Sequence, residues 1–260
     1  MRPRRSASGA ASATASRFSG CSSATSSTRR GSGIPAFSAE RYVLKDFRGS
    51  SHRLLAGWIR DLPAGSRILE LGPGPSHVAL LVQRSDLFWL GLEGSLDCLW
   101  SLRRILSGGA IVDLDSLARL PRGCSTVVAG DTLEHLADPE RMLRMIHQAL
   151  PQGGLLLLSV PNVANLYVRL NLLFGNFPYA DRGILDRTHR YFFTARSLRE
   201  MASKAGFVTD RRAVSTIPLP LAWPRLPKPL LQASSLVLSA LTRLFPNLLG
   251  YQLLLRARRA

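Results

Sequence analysis

Residues 68–76 read Ile-Leu-Glu-Leu-Gly-Pro-Gly-Pro-Ser, an apolar run that ends in a carboxylate and breaks into a glycine turn. A buried strand feeding a tight loop fits this pattern, and what the loop lacks narrows its chemistry. A dinucleotide fingerprint, G-x-G-x-x-G, would put its third glycine at position 77, which holds His77. Pro73 and Pro75 remove two backbone N–H donors that a phosphate cradle would need. No Gly-Lys-Ser/Thr follows, so a P-loop is excluded. What survives is a strand, an acid and a close backbone turn, which point to a nucleoside cofactor site that does not depend on phosphate.

The rest of the chain repeats this grammar. Leu87 to Glu93, LFWLGLE, is a second apolar run closed by Glu93, 23 residues after Glu70, at the tip of a second parallel strand. A carboxylate there accepts ribose hydroxyls; the plainer reading is a solvated helix-entry residue. GAIVDLD (109–115) reads as a third strand ending in Asp113 and Asp115, STVVAGD (125–131) as a fourth ending in Asp131, and the 149–162 segment as a helix end, a glycine turn and a fifth strand. Residues 207–215 and 251–259 read as strands six and seven. Strands alternating with helical spacing in 260 residues of 46% hydrophobic composition predict one α/β domain around a largely parallel sheet. Ligands of such sheets bind outside the carboxyl ends of the strands, where Glu70, Glu93, Asp113 and Asp131 all fall.

Glu70, Gly72, Gly74 and Ser76 resemble motif I of the class I S-adenosylmethionine-dependent methyltransferases, acidic-x-Gly-x-Gly-x-Gly, with Ser76 where the last glycine usually sits. The resemblance extends from Leu54 to about Phe207 and includes Leu133-Glu134-His135-Leu136 followed by Asp138-Pro139-Glu140. Asp138 is also a good helix N-cap with proline at the first helical position, so local physics explains that triplet by itself. The resemblance implies a Rossmann-like seven-stranded sheet of order 3-2-1-4-5-7-6 flanked by helices, with the last strand antiparallel between five and six. It further implies S-adenosylmethionine as cofactor, bound by Glu70, Gly72, Gly74, Glu93, Asp113 and Asp131, with Asp113 near the adenine amino group.

After the fifth strand comes a segment expected to form the acceptor lid, about 162–193: a helical stretch NVANLYVRLNLLF, a turn-rich loop with Tyr179, Asp181 and Arg182, and ILDRTHRYFFT. The D-x-x-H-x-x-F-F pattern of Asp186, His189, Phe192 and Phe193 resembles uncharacterised bacterial methyltransferases found with glycan and lipid biosynthesis. His189, an imidazole that titrates near neutrality, is the candidate general base, with Asp186 beside it; the bland alternative is a histidine that fixes the lid by bonding Asp186. Methyl transfer from sulfonium mainly needs alignment and exclusion of water, so a base matters only for a hydroxyl acceptor. His135 is expected to serve packing or capping. Cys21, Cys98 and Cys124 are far apart, and no metal site is expected.

The resemblance thus implies methyl transfer, expected at oxygen, to a small-molecule, glycan or lipid-linked acceptor. Alternatives are an RNA or protein methyltransferase using a basic surface, and a degenerate scaffold that binds S-adenosylmethionine without turnover. The net charge of +17 includes six arginines in residues 1–39; 31 of the 34 basic residues are arginine, and no RNA-binding module or Asn/Asp-Pro-Pro-aromatic run is present, which weighs against nucleic acid. Residues 1–39, rich in Ser, Ala and Arg and free of acids, are expected to be a disordered tail, whose composition fits a targeting segment, an over-long start or a plain solvated tail; residues 40–260 are expected to form the catalytic domain. An apolar helical insert is expected at about 217–248. Its apolar positions, Leu230, Val237, Leu238, Leu241 and Leu244, predict a helix packed on the domain or on a dimer partner, and peripheral membrane contact through 230–245 is the second reading. The expected location is cytoplasmic or peripheral to a membrane. Nothing in the sequence sets the oligomeric state.

Overall fold

The computed structural model describes residues 44–74, 78–219 and 227–260. The expected tail at 1–39, the end of the glycine loop (Pro75, Ser76, His77) and residues 220–226 of the proline-rich stretch lie outside the described residues.

Seven strands form one sheet: β1 (Arg67–Leu71), β2 (Phe88–Glu93), β3 (Gly108–Ile111), β4 (Thr126–Gly130), β5 (Leu155–Pro161), β6 (Phe207–Val214) and β7 (Gln252–Arg259). Their order is β3-β2-β1-β4-β5-β7-β6, as the resemblance implies. β1 to β5 pair in parallel, and β7 runs antiparallel between β5 and β6. β1, β4 and β5 are nearly continuous apolar runs because both of their faces are covered. On one face α4 (Pro139–Ala149) and α6 (Ala195–Lys204) bury Leu143, Ile146, Leu198 and Ala202; on the other α1 (Ser51–Arg60) and α2 (Val78–Val82) bury Leu55, Ile59 and Val78. α3 (Leu96–Ser101) connects β2 to β3. Strand order reverses between β1 and β4, so the crevice above their carboxyl ends is where a ligand is received.

Local chemistry sets the element ends. The Asp138 carboxylate accepts the Arg141 N–H at 2.7 Å with Pro139 as the first helical residue, the cap predicted for α4. β3 stops at Ile111, earlier than expected: Asp113 bends the chain into an Asx turn, accepting from Asp115 N at 3.1 Å and Ser116 Oγ at 2.6 Å. α5 (Leu166–Leu173) starts four residues into its predicted stretch because Asn165 caps it, accepting from Tyr167 N at 3.0 Å. The Asn162 and Asn165 side chains both donate to the Gly250 carbonyl, tying the base of the lid to the chain ahead of β7.

The C-terminal helices are α7 (Lys228–Leu244) and α8 (Pro246–Leu249). In the single chain most of the α7 stripe expected to pack on the domain or on a dimer partner faces outward, with Leu238 half-buried. Leu230, Val237, Leu241 and Leu244 are exposed, Leu244 at 71%, while Thr242 is buried. Ser235 and Ser239 close their hydroxyls onto the carbonyls four residues back, at 2.6 and 2.7 Å, which satisfies these two half-buried hydroxyls within the helix, while the Thr242 hydroxyl is buried without a partner among the described residues.

Candidate cofactor and acceptor site

The β1–β2 tips make a pocket with a backbone floor. Glu93, 6% exposed at the end of β2, accepts the N–H of Gly74 at 2.8 Å on one oxygen and that of Ser95 at 3.0 Å on the other. Each oxygen keeps a second lone pair, the acceptor capacity that ribose hydroxyls require. Gly72 and Gly74 turn the loop at φ +61° and +55°, a region that L side chains rarely adopt. A Cβ on Gly72 would come within 3.3 Å of Thr132, whereas among the described residues one on Gly74 would have only the Gly72 carbonyl, at 4.0 Å, within reach. The loop is therefore packed from below and open for close backbone approach at Gly74. Beneath it Glu70 is 3% exposed and accepts Trp89 Nε1–H at 2.8 Å; burial, with the Glu93 charge adding to it, pushes its carboxyl up to about 7. Asp113 stands exposed beyond β3 in its own turn. These groups fit S-adenosylmethionine: carboxylates for ribose and base, an open glycine backbone, and no array of phosphate donors.

Asp131 follows β4 at φ +54°, a strained position for a residue other than glycine. Its oxygens accept from Lys45 Nζ at 2.6 Å, Gln252 Nε2 at 2.6 Å and Ser159 Oγ at 2.7 Å. Burial alone would raise its pKa, but the Lys45 and His52 charges and the hydrogen bonds from Lys45 and Ser159 hold it well below the usual carboxylate range. Lys45 is correspondingly raised, burial opposing and the Asp131 charge prevailing. Asp131, expected among the cofactor-binding residues, is thus engaged by protein groups.

Next in the chain, a single 3-10 turn, Leu133–His135, meets the returning lid. The Glu134 carbonyl accepts the N–H groups of Arg190 at 2.7 Å and Tyr191 at 3.0 Å, which brings the His135 and His189 rings to 4.9 Å, edge to face. His189 Nδ1 donates to the Ile184 carbonyl at 3.0 Å, which leaves Nε2 directed elsewhere. His135 Nδ1 is turned to Thr188, 3.2 Å from its hydroxyl. Burial first of all lowers both imidazole pKa values, so both rings are neutral at pH 7 and carry a lone pair. Glu134 is 1% exposed, and neither carboxylate oxygen has a hydrogen-bond partner; burial and the Asp131 charge raise its pKa well above the ordinary value. Asp186 is buried and holds the lid loop, accepting the N–H and hydroxyl of Thr188 at 2.8 and 2.7 Å, while the His189 ring bonds the Ile184 carbonyl. Around them Val168, Ile184 and Leu185, with Phe177, Phe192 and Tyr251, form a small core under the lid.

The structure thus brings Glu70, Gly72, Gly74 and Glu93 together at the β1–β2 tips, sets Asp113 apart beyond β3, and gathers Asp131, Asp186 and His189 around the turn that follows β4. Thr132 joins the first group to the last, donating to the Leu71 carbonyl at 2.8 Å beneath Gly72. Sequence reasoning passed over Lys45, Gln252 and Ser159 as site residues, and it quoted Glu134 only within a signature. Its being one of three lysines in an arginine-rich chain was the available signal for Lys45.

A family profile described as a methyltransferase domain matches residues 41–211, most of the chain. Among solved structures, an S-adenosylmethionine-dependent methyltransferase from Mesorhizobium loti is similar at TM-score 0.54 and 19% identity, covering 81% of this chain and 99% of that one. One from Archaeoglobus fulgidus is similar at TM-score 0.52 and 18% identity, covering 82% and 96%. No curated protein matches the chain by sequence. At these identities the structures speak for the fold, and the family match speaks for the activity. The chain belongs to the methyltransferase-domain family, with a class I Rossmann-like fold and S-adenosylmethionine as its cofactor.

Proposed function

We propose that the chain transfers the methyl group to an oxygen of a lipid-linked or glycan acceptor at an anionic membrane surface. The observation that carries the choice of oxygen is the cluster of buried Glu134 with half-buried His135 and His189, which Thr132 connects to the glycine loop. An amine or thiol acceptor needs alignment and dehydration only, whereas a hydroxyl has to lose a proton, and neutral imidazoles are suited to that task. His189 faces the acceptor hydroxyl in this reading, and Asp186 positions the loop that carries it.

The case for a membrane rests on two outward apolar helices. Along α5, Tyr167, Leu170 and Leu173 are exposed, with Phe174 just past its end at 76%; along α7, Leu230, Val237 and Leu244 are. Asn162 and Asn165 pin the start of α5 to the segment that follows α7, so the two patches belong to one region. From residue 211 to the C-terminus the chain carries eight arginines and lysines and no acid, a charge that complements anionic headgroups. No helix of the described residues is long and apolar enough to cross a membrane, so the contact would be interfacial. The cofactor supplies an electrophilic methyl group on a sulfonium; the protein's part is to align it with the acceptor oxygen and keep water out.

The test is transfer of radiolabelled methyl from S-adenosylmethionine to total lipid, aqueous glycan, RNA and protein fractions of a host lacking the gene. Label recovered in lipid or glycan, stable to mild base and lost in His189→Gln, is the expected result. Label confined to RNA or protein would contradict the reading.

A further inference from the structure

We infer that Glu134, His135 and His189 bind one divalent transition-metal ion, an inference that rests on the reading of this cavity as the acceptor pocket. One donor atom from each residue lies within 4.8 Å of the other two. Ligands of a metal at about 2.0–2.2 Å stand about 3.3 Å apart in a tetrahedron and about 4.2 Å apart when opposed, so small rotamer adjustments close the site. Glu134 supplies the independent sign of a missing partner. It is 1% exposed, yet neither carboxylate oxygen has a hydrogen-bond partner. A side chain so placed is costly unless something satisfies it.

The surroundings suit a cation. His189 Nδ1 donates to the Ile184 carbonyl and His135 Nδ1 faces the Thr188 hydroxyl and carbonyl, the outer contacts that orient metal-binding imidazoles. Three carboxylates, Asp131, Glu134 and Asp186, gather here in a chain that otherwise carries an excess of arginine, and Lys45 balances only the first. Two imidazoles and one carboxylate favour zinc or a neighbouring first-row ion over magnesium or calcium, and three protein ligands leave positions for substrate. Both histidines are partly exposed. The acceptor hydroxyl would bind the ion through oxygen and release its proton to water, so with the ion bound His189 is a ligand and the ion takes over the activation that the imidazole would otherwise supply. An oxygen lone pair would then form the O–CH3 bond while the S–CH3 pair passes to sulfur, leaving a neutral thioether.

The test uses the full chain without an affinity tag, stripped with chelator, desalted and titrated calorimetrically with Zn2+ alone; Co2+ provides a visible d–d spectrum as a second readout. One equivalent is expected to bind, weakened at least tenfold in each of Glu134→Gln, His135→Ala and His189→Ala. Retained S-adenosylhomocysteine binding certifies that each variant is folded. Failure of stoichiometric binding, or equal binding by all three variants, overturns the inference whatever the methyl-transfer assay shows. If one equivalent binds and is lost in the variants while methyl transfer is untouched, the ion site stands and its identity as the acceptor pocket falls.

Discussion

Glu70 and Asp131 lie on adjacent strands at opposite protonation extremes, and each sets a pH dependence of its own. Glu70 binds its proton up to about pH 7 in the folded chain and releases it near 4.5 when unfolded, so stability declines as pH rises between those values. Glu70→Gln is expected to remove that slope and to gain on the order of 3 kcal/mol above pH 7 in chemical denaturation without added cofactor. Asp131 has the reverse sign: its pKa is depressed, so its contribution is complete above about pH 4, the unfolded value, and lost as pH falls below it. Lys45→Met leaves that carboxylate without its counter-charge. About 1–3 kcal/mol should be lost at pH 7, less than for a fully buried pair because Lys45 retains some exposure. Denaturation curves at pH 7 and pH 3 check this, with the difference from the parent narrowing at the lower pH. The acids at strand tips were legible because strand, acid and turn are neighbours in sequence. Lys45 and Gln252 were not, since they reach Asp131 from 86 and 121 positions away, distances at which spacing carries no signal.

Apolar periodicity found α7 and its hydrophobic stripe but not what the stripe faces, because a 3.6-residue period is the same for a core and for a lipid surface. Ser235 and Ser239, half-buried and bonded to carbonyls of their own helix, leave the apolar stripe on the outer side of the chain. Val237→Asp and Leu241→Asp, both at exposed positions, are expected to leave the unfolding midpoint within about 0.5 kcal/mol of the parent and to abolish flotation with anionic vesicles. Flotation that survives both substitutions would remove α7 from the membrane reading. The short β3 shows the same limit of pattern at smaller scale. Its run of apolar residues predicts continuation to Asp115, yet the Asp113 side chain offers its own backbone a turn, and the local bond prevails over the ladder.

For the molecule as a whole, alternation of strands and helices was enough to give an α/β domain around a largely parallel sheet, whereas its strand order was legible only through the resemblance to the methyltransferases. The lid and the C-terminal insert, where no repeating pattern guides the chain, gave up their contacts only in three dimensions. With a net charge of +17, the proposed membrane association would be electrostatic in part. Vesicles containing anionic lipid are expected to hold the protein at about 0.1 M salt and release most of it at about 0.5 M, while neutral vesicles retain little at either. The site itself stands or falls with Glu93, where the second strand meets the glycine loop. Calorimetric titration with S-adenosylhomocysteine should give one site per chain in the parent and at least tenfold weaker binding in Glu93→Ala at an unchanged unfolding midpoint. A flat titration of the parent, or a Glu93→Ala variant that binds as tightly, would contradict the placement of the cofactor above β1 and β2.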